Sequence, residues 1–297
     1  MHRSIRLVAS LPLAIAASLT AVPVHAQVVE ITAIDYAFQA PETVPAGWNT
    51  IRFTNDGEEP HFVFMSRLPE GTTLADYETQ ASAAFSRGWT ARRDGNASEE
   101  EALGMIMESL PPWFADLRMV GGPGFLASGL TSEVVFHLEP GRYVLECYVK
   151  TADGEIHYME GMIRPMEVTA PEPLVATPRP DIRVTLTNDG MRVEGDLTAG
   201  RRVVAVHAQE NPEVGFGHSA HLARLDADTD IDDVVQWMNW LAIDGMRAPA
   251  PVPFLGGIHA MPTGETAYFA VDLQPGRYLF ISEATAHLGM LHEFTVR

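Results

Sequence analysis

The sequence predicts an all-β protein built from two tandem β-sandwiches, each with a helical insertion. Short runs in which apolar and polar residues alternate, such as 49–54 and 133–138, are separated by Gly, Pro and Asp-Gly turns. Alternation with a period of two is typical of strands that are buried on one face. Many short strands with turn residues between them indicate a sandwich, and a repeat along the chain indicates that there are two.

The repeat consists of four landmarks that occur twice in the same order, which indicates a duplicated domain. The matching pairs are His61 with His218, Gly121-Gly122 with Gly256-Gly257, Gly141-Arg142-Tyr143 with Gly276-Arg277-Tyr278, and Gly161-Met162 with Gly289-Met290. Four prolines fall within residues 171–180 and disfavour both a helix and a central strand there. We therefore predict a first domain over 27–170, a proline-rich linker over 171–180 and a second domain over 181–297.

Each half also contains a segment with helix-like spacing of its apolar residues. The first predicted insertion covers approximately 74–119 and the second approximately 230–246. In the second, Val234, Val235, Met238 and Leu241 follow the period expected for one face of a helix.

The first 26 residues have the features of a signal peptide. His2, Arg3 and Arg6 precede an apolar stretch over 7–22, and small residues surround the expected cut after Ala26. No later stretch reaches the roughly 18 apolar residues that a membrane helix needs. We expect a periplasmic or secreted protein with no integral membrane segment in its mature chain.

The chain is acidic, with 20 basic and 39 acidic residues and a net charge of −19. It has no run of Lys or Arg, so a nucleic acid or an anionic membrane is not expected as its partner. Cys147 is the only cysteine, which excludes an intramolecular disulfide. An unpaired thiol in an oxidising compartment calls for burial or a bound metal.

Cys147 begins a spacing pattern that is typical of metal ligands. Along residues 141–149 the period of two places Tyr143, Leu145 and Cys147 on one face of the strand, and Val144, Glu146 and Tyr148 on the other. His157 follows Cys147 by ten residues and Met162 follows His157 by five, while His61 is predicted to open an upstream strand after the Asp56-Gly57 turn. A thiolate, two imidazoles and a thioether suit copper in a trigonal electron-transfer site.

These residues resemble those of the cupredoxin, or blue (type 1) copper, family. The resemblance lies in Pro60-His61, in the strand 140–147 that ends at the cysteine, and in the loop 157–162. It implies Greek-key sandwiches in both halves and a copper site in the first half alone. His61, Cys147 and His157 would be the equatorial ligands and Met162 the axial one. A protein with one type 1 copper ion would carry single electrons, and the acidic chain would favour a redox partner with a basic surface.

Other interpretations stay open. A lone buried cysteine is usually a small core residue, and the sandwiches can be a binding module with no metal or with a metal that gives no blue colour. Part of a copper oxidoreductase is disfavoured. Such enzymes resemble this chain in their domains but carry a histidine next to the cysteine ligand, whereas Glu146 and Tyr148 flank Cys147 here.

The second half lacks a thiolate, because Ser282 occupies the position that matches Cys147. Its histidines His218, His221, His287 and His292 leave a second metal site possible, since imidazole alone can bind zinc or copper. We favour a degenerate copy of the domain that serves packing or partner recognition.

Overall fold

The protein is described here from a computed structural model that covers residues 28–171, 177–212 and 215–297. The predicted signal peptide and residues 172–176 of the predicted linker lie outside the described residues.

The first half contains eight strands in two packed sheets. They are β1 (Val28–Ile34), β2 (Ala37–Gln39), β3 (Thr43–Asn55), β4 (Phe64–Arg67), β5 (Arg118–Gly121), β6 (Thr131–Leu138), β7 (Gly141–Glu146) and β8 (Ile163–Pro171). One sheet has the order β2-β1-β3-β6 and the other the order β8-β7-β4-β5. The 13-residue strand β3 also pairs with β8 through its first residues, and so connects the two sheets.

The second half repeats this arrangement strand by strand. Its strands are β9 (Ile182–Thr187), β10 (Gly190–Gly195), β11 (Gly200–Ala208), β12 (His218–Leu225), β13 (Phe254–Met261), β14 (Thr266–Leu273), β15 (Gly276–Ile281) and β16 (Leu291–Val296). The sheet orders β10-β9-β11-β14 and β16-β15-β12-β13 match those of the first half. In both halves the first strand is parallel to the third.

Individual contacts repeat as well. The hydroxyl of Tyr143 donates to the carbonyl of Glu139, and that of Tyr278 donates to the carbonyl of Gln274, each over 2.8 Å. Both tyrosines are fully buried among the alternating apolar residues that fill each sandwich. The predicted fold class is therefore confirmed: the chain is mostly β and forms two tandem β-sandwiches with helical insertions.

The insertions differ in size and depart in detail from the prediction. The first contains α1 (Leu74–Asp76), a π-helix (Tyr77–Ser82), α2 (Ala83–Arg93), α3 (Glu99–Ser109) and a 3-10 turn (Pro112–Asp116). Met119, predicted as its end, lies in β5. In the second insertion only α4 (Ile231–Trp237) is helical, so Met238 and Leu241 lie beyond the helix. Asn239 accepts the N–H of Leu241 through its side chain, and turns continue from there.

The two halves are joined edge to edge. Strands β6 and β14 pair antiparallel, with Val134 opposite Phe269. Nearby, the segment that follows β5 exchanges backbone hydrogen bonds with β13, including Gly124 N–H to Gly257 and His259 N–H to Gly122. The interface thus continues the sheet of one half into the other.

Within the residues that the structure describes, none of the helices combines the length and the apolar character that crossing a bilayer demands.

Candidate metal centre

Three predicted ligands meet at one end of the first sandwich because the backbone ties their segments together. His61 lies before β4 and forms two backbone hydrogen bonds with Leu126. Cys147 directly follows β7, and its N–H donates to the carbonyl of Met162 over 3.1 Å. His157 donates to the carbonyl of Val149 and accepts from the N–H of Met162, each over 2.9 Å. The loop therefore folds back on the strand that carries the cysteine.

The side chains of His61, Cys147 and His157 converge on one point. The Sγ atom of Cys147 lies 3.6 Å from Nδ1 of His157 and 3.9 Å from Nδ1 of His61, and the two Nδ1 atoms are 3.1 Å apart. The three side chains are fully buried. The point equidistant from these three atoms lies about 2.1 Å from each, which matches the roughly 2.0–2.3 Å of metal bonds to imidazole nitrogen and thiolate sulfur.

Two carboxylates fix how the imidazoles are oriented. The Nε2 atom of His61 lies 2.5 Å from Oδ1 of Asp35, and that of His157 lies 2.7 Å from Oε2 of Glu59. Carboxylates accept hydrogen bonds, so a neutral ring places its proton on Nε2 and leaves a lone pair on Nδ1. Two lone pairs that face each other over 3.1 Å repel unless a cation lies between them. The donor set therefore fits a metal ion.

Burial controls the protonation of these ligands. It lowers the pKa of His61 to about 4, an effect that the charge of His157 reinforces and the hydrogen bond to Asp35 opposes. It also raises the pKa of the Cys147 thiol to about 12. The neutral imidazole of His61 is ready to bind a metal, whereas the thiol of Cys147 would have to lose its proton as a metal binds. Uptake of a metal at neutral pH is thus coupled to the release of one proton from Cys147.

Met162 is fully buried in the same hydrophobic cluster as Cys147, and its backbone bonds to both Cys147 and His157. The structure therefore brings the segment of the fourth predicted ligand to the cluster. The group whose ligand atoms lie close enough together to hold a metal ion consists of His61, Cys147 and His157.

The corresponding position in the second half is filled by hydroxyl groups. The N–H of Ser282 donates to the carbonyl of Met290 over 3.0 Å, as that of Cys147 does to Met162. The Ser282 Oγ atom accepts from the N–H of Ser219 and lies 3.2 Å from the hydroxyl of Thr285. His218, which matches His61, bonds instead to Asn188 through its Nε2 atom. This pocket has no thiolate, and its hydroxyl groups bond to one another.

Of the four histidines noted in the second half, only His221 belongs to a cluster. It lies near His259 and Glu283, with all ligand atoms within 4.8 Å of one another. His287 is exposed in a 3-10 turn (Ala286–Leu288), and His292 lies in β16.

Hydrogen bonds connect the residues of this second cluster in a linear series. The N–H of Phe125 donates to Nδ1 of His221, so neutral His221 carries its proton on Nε2, 3.4 Å from Nδ1 of His259. His259 then donates through Nε2 to the hydroxyl of Tyr148 over 2.6 Å, and Tyr148 donates to Glu283 over 2.8 Å. Each acceptor atom in this series faces a hydrogen-bond donor, so the hydrogen bonds are complete without a metal ion.

Asp35, Glu59, His259 and Glu283 were not singled out from the sequence. Asp35 lies 26 residues from its partner His61, and Glu59 lies 98 residues from its partner His157, so no local pattern of residues identifies either carboxylate. His259 does have a signal, because it follows the repeated Gly256-Gly257 pair by two residues.

Comparisons with models of protein families and with curated proteins gave no match. Among solved structures, the chain is similar to the auracyanin of Roseiflexus castenholzii, with 20% identity, a TM-score of 0.29, and coverage of 49% of this chain and 99% of that one. It is similar to the "blue" copper protein auracyanin A of Chloroflexus aurantiacus, with 20% identity, a TM-score of 0.30 and coverage of 49% and 100%.

A third similar structure is the blue copper oxidase of Nitrosomonas europaea, with 14% identity, a TM-score of 0.24, and coverage of 90% of this chain and 85% of that one. The fold and the site rest on the strand order and the side-chain geometry.

Proposed function

We propose that the protein binds one copper ion in a type 1 site and transfers single electrons in the periplasm or outside the cell. His61 and His157 would bind through Nδ1, Cys147 through Sγ, and Met162 through its thioether as the axial ligand. One observation carries the proposal. The Sγ atom of Cys147 and the Nδ1 atoms of the two histidines converge, while a carboxylate accepts a hydrogen bond from Nε2 of each imidazole. Bound copper would supply a one-electron couple.

The residues of the chain have distinct parts in this function. Asp35 and Glu59 hold the rings in one tautomer and orientation, so little rearrangement accompanies a change of oxidation state. Burial of the ligands excludes water and further ions from the site. The net charge of −19 favours encounter with a redox protein that has a basic surface, an effect that salt weakens.

We propose that the chain is divided into two domains and a linker. Residues 27–170 would form the copper domain, 171–180 the linker and 181–297 a degenerate cupredoxin-like domain without its own copper, exported by the signal peptide 1–26.

The direct test is the visible spectrum of the purified full chain after addition of Cu(II). We expect one equivalent to give an intense blue or green colour from charge transfer between the Cys147 thiolate and copper. Cys147→Ser should lose this band, because a hydroxyl is a hard and weak donor. A wild-type protein that stays colourless with Cys147 reduced would refute the type 1 assignment.

A further inference from the structure

A cleft of about 800 Å³ opens between the two halves, beside the segment that carries Cys147. Its floor contains Glu146 and Tyr148, the two neighbours of Cys147, whose side chains point away from the cysteine. Its walls come from α2 and α3 of the first half and from residues 215–217, 239–241 and 283–287 of the second. We call it the aromatic cleft. Its volume is that of a small-molecule site.

Aromatic rings form one wall of the aromatic cleft. Phe85 lies 6.0 Å from Phe114, 5.8 Å from Phe216 and 6.2 Å from Trp240 between ring centres. Phe216 packs against Phe85 and Phe114 and leaves 43% of its surface exposed at this wall. The faces of such rings attract cations.

The lining of the aromatic cleft contains acidic side chains and no permanently charged cation among its described residues. Among its described lining residues, Glu99, Glu146 and Glu283 are acidic, and none is a lysine or an arginine. Glu283 is already bonded to Tyr148, and Glu99 accepts from the side chain of Asn239. The remaining carboxyl, that of Glu146, is the one on the floor.

Glu146 has an unused acceptor. Its Oε1 atom accepts from the hydroxyl of Tyr77 over 2.9 Å, whereas its Oε2 atom is buried and has no hydrogen-bond partner in the described part of the chain. The residue is 6% exposed. A buried acceptor without a partner costs free energy, and a carboxylate costs more than a neutral group. A ligand that donates a hydrogen bond and carries a positive charge would remove both costs.

We propose that the aromatic cleft binds a small organic cation, a primary ammonium group attached to an apolar or aromatic body. The ammonium donates to Oε2 of Glu146, and the body packs against Phe85, Phe216 and Trp240. This site goes beyond the proposed copper function and does not depend on it, because no copper ligand lines the cleft.

The test uses isothermal titration calorimetry of the full chain at pH 8 with two probes, 2-phenylethylammonium chloride and 2-phenylethanol. The two molecules share the aromatic body and a terminal hydrogen-bond donor, and differ in charge. We expect the amine to bind one to one, with a dissociation constant at least about 10-fold below that of the alcohol. Equal affinities, or no heat of binding with the amine up to millimolar concentrations, would overturn the proposal.

Three variants locate the binding site. Glu146→Gln keeps an oxygen that can accept the hydrogen bond from Tyr77. It should weaken binding of the amine by about 10- to 100-fold and change the affinity for the alcohol little. Glu70→Gln removes the same charge from an exposed residue outside the cleft and should have no effect. Phe216→Ala changes an exposed residue and should weaken binding of the amine by about 2- to 5-fold. This variant tests the site even if Glu146→Gln does not fold. Unchanged amine binding in Phe216→Ala, or equal effects of the two glutamate variants, would exclude the site.

Discussion

Gly57 lies so close to His61 that a Cβ atom at this position would stand 2.8 Å from Nε2 of the ring. The same Cβ would also overlap the Asp35 carboxylate that binds this nitrogen. A side chain at position 57 would therefore separate His61 from Asp35, and only glycine leaves room for the pair.

Gly57→Ala should weaken copper binding by about 10-fold or more, since loss of an outer hydrogen bond commonly costs a metal site 10- to 100-fold in affinity. Competition with a copper chelator measures this. Gly104→Ala is the matched control, because no atom lies within 4 Å of the added Cβ in α3. Similar affinities in both variants would show that the Asp35 contact does not support the site.

Ser282→Cys in a Cys147→Ser background should not restore the blue band. The new thiol would lie among the hydroxyls of Ser219 and Thr285, and His218, the counterpart of His61, is bonded to Asn188. Visible spectroscopy after addition of Cu(II) measures whether the blue band is present. A band that appears in this double variant would show that the second half still assembles a copper site.

Tyr148→Phe should lower the free energy of unfolding by about 1–3 kcal/mol, because it leaves Glu283 and His259 without their shared partner in a buried cluster. Urea denaturation measures the change. Tyr268→Phe is the control, on a half-buried residue of β14 whose ring packs near Trp48. If the free energy of unfolding falls by the same small amount in both variants, the hydrogen bonds of Tyr148 with His259 and Glu283 contribute nothing to stability.

Lys150 should make stability depend on pH. Burial, helped by the charge of Arg247, lowers the pKa of Lys150 in the folded chain to about 6 from a usual 10.5. Between these values the unfolded chain binds a proton here that the folded chain does not, so stability rises with pH by up to about 1.4 kcal/mol per unit. This contribution is complete above about 10.5, decreases progressively as the pH falls from about 10.5 to about 6, and is absent below about 6.

Urea denaturation of wild type and Lys150→Met from pH 6 to 9 measures this slope, which the variant should lack. Lys150 is the only lysine of the chain, so its 15N resonance reports its titration directly. A normal pKa in that measurement would mean that contact of the amine with the Trp89 ring, 3.6 Å away, keeps it charged.

The proposed copper ligands could be named from the sequence because the relevant spacing is local. Cys147, His157 and Met162 lie within one strand-loop-strand unit, and the period of a strand already predicts that Cys147 points inward. His61 could be added because its segment is repeated at His218. Such patterns depend on neighbours along the chain, which a single sequence contains.

The carboxylates and the cleft could not be proposed in this way. Asp35 meets His61 only after β1 pairs with β3, and Glu283 meets Tyr148 across the interface of the halves. The sequence does place Glu146 and Tyr148 on the face opposite Cys147, but what covers that face depends on how the insertions pack. Contacts between distant segments follow from the assembled fold.

The antiparallel pairing of β6 with β14 gives the second half a use that needs no metal. A strand at the edge of a sheet exposes unpaired amide and carbonyl groups that can recruit another chain and start aggregation. Each of these strands would be such an edge if its half stood alone, and each instead shields the other. The second half, which has a serine where the first has Cys147, thus covers an edge strand that could otherwise pair with another copy of the chain.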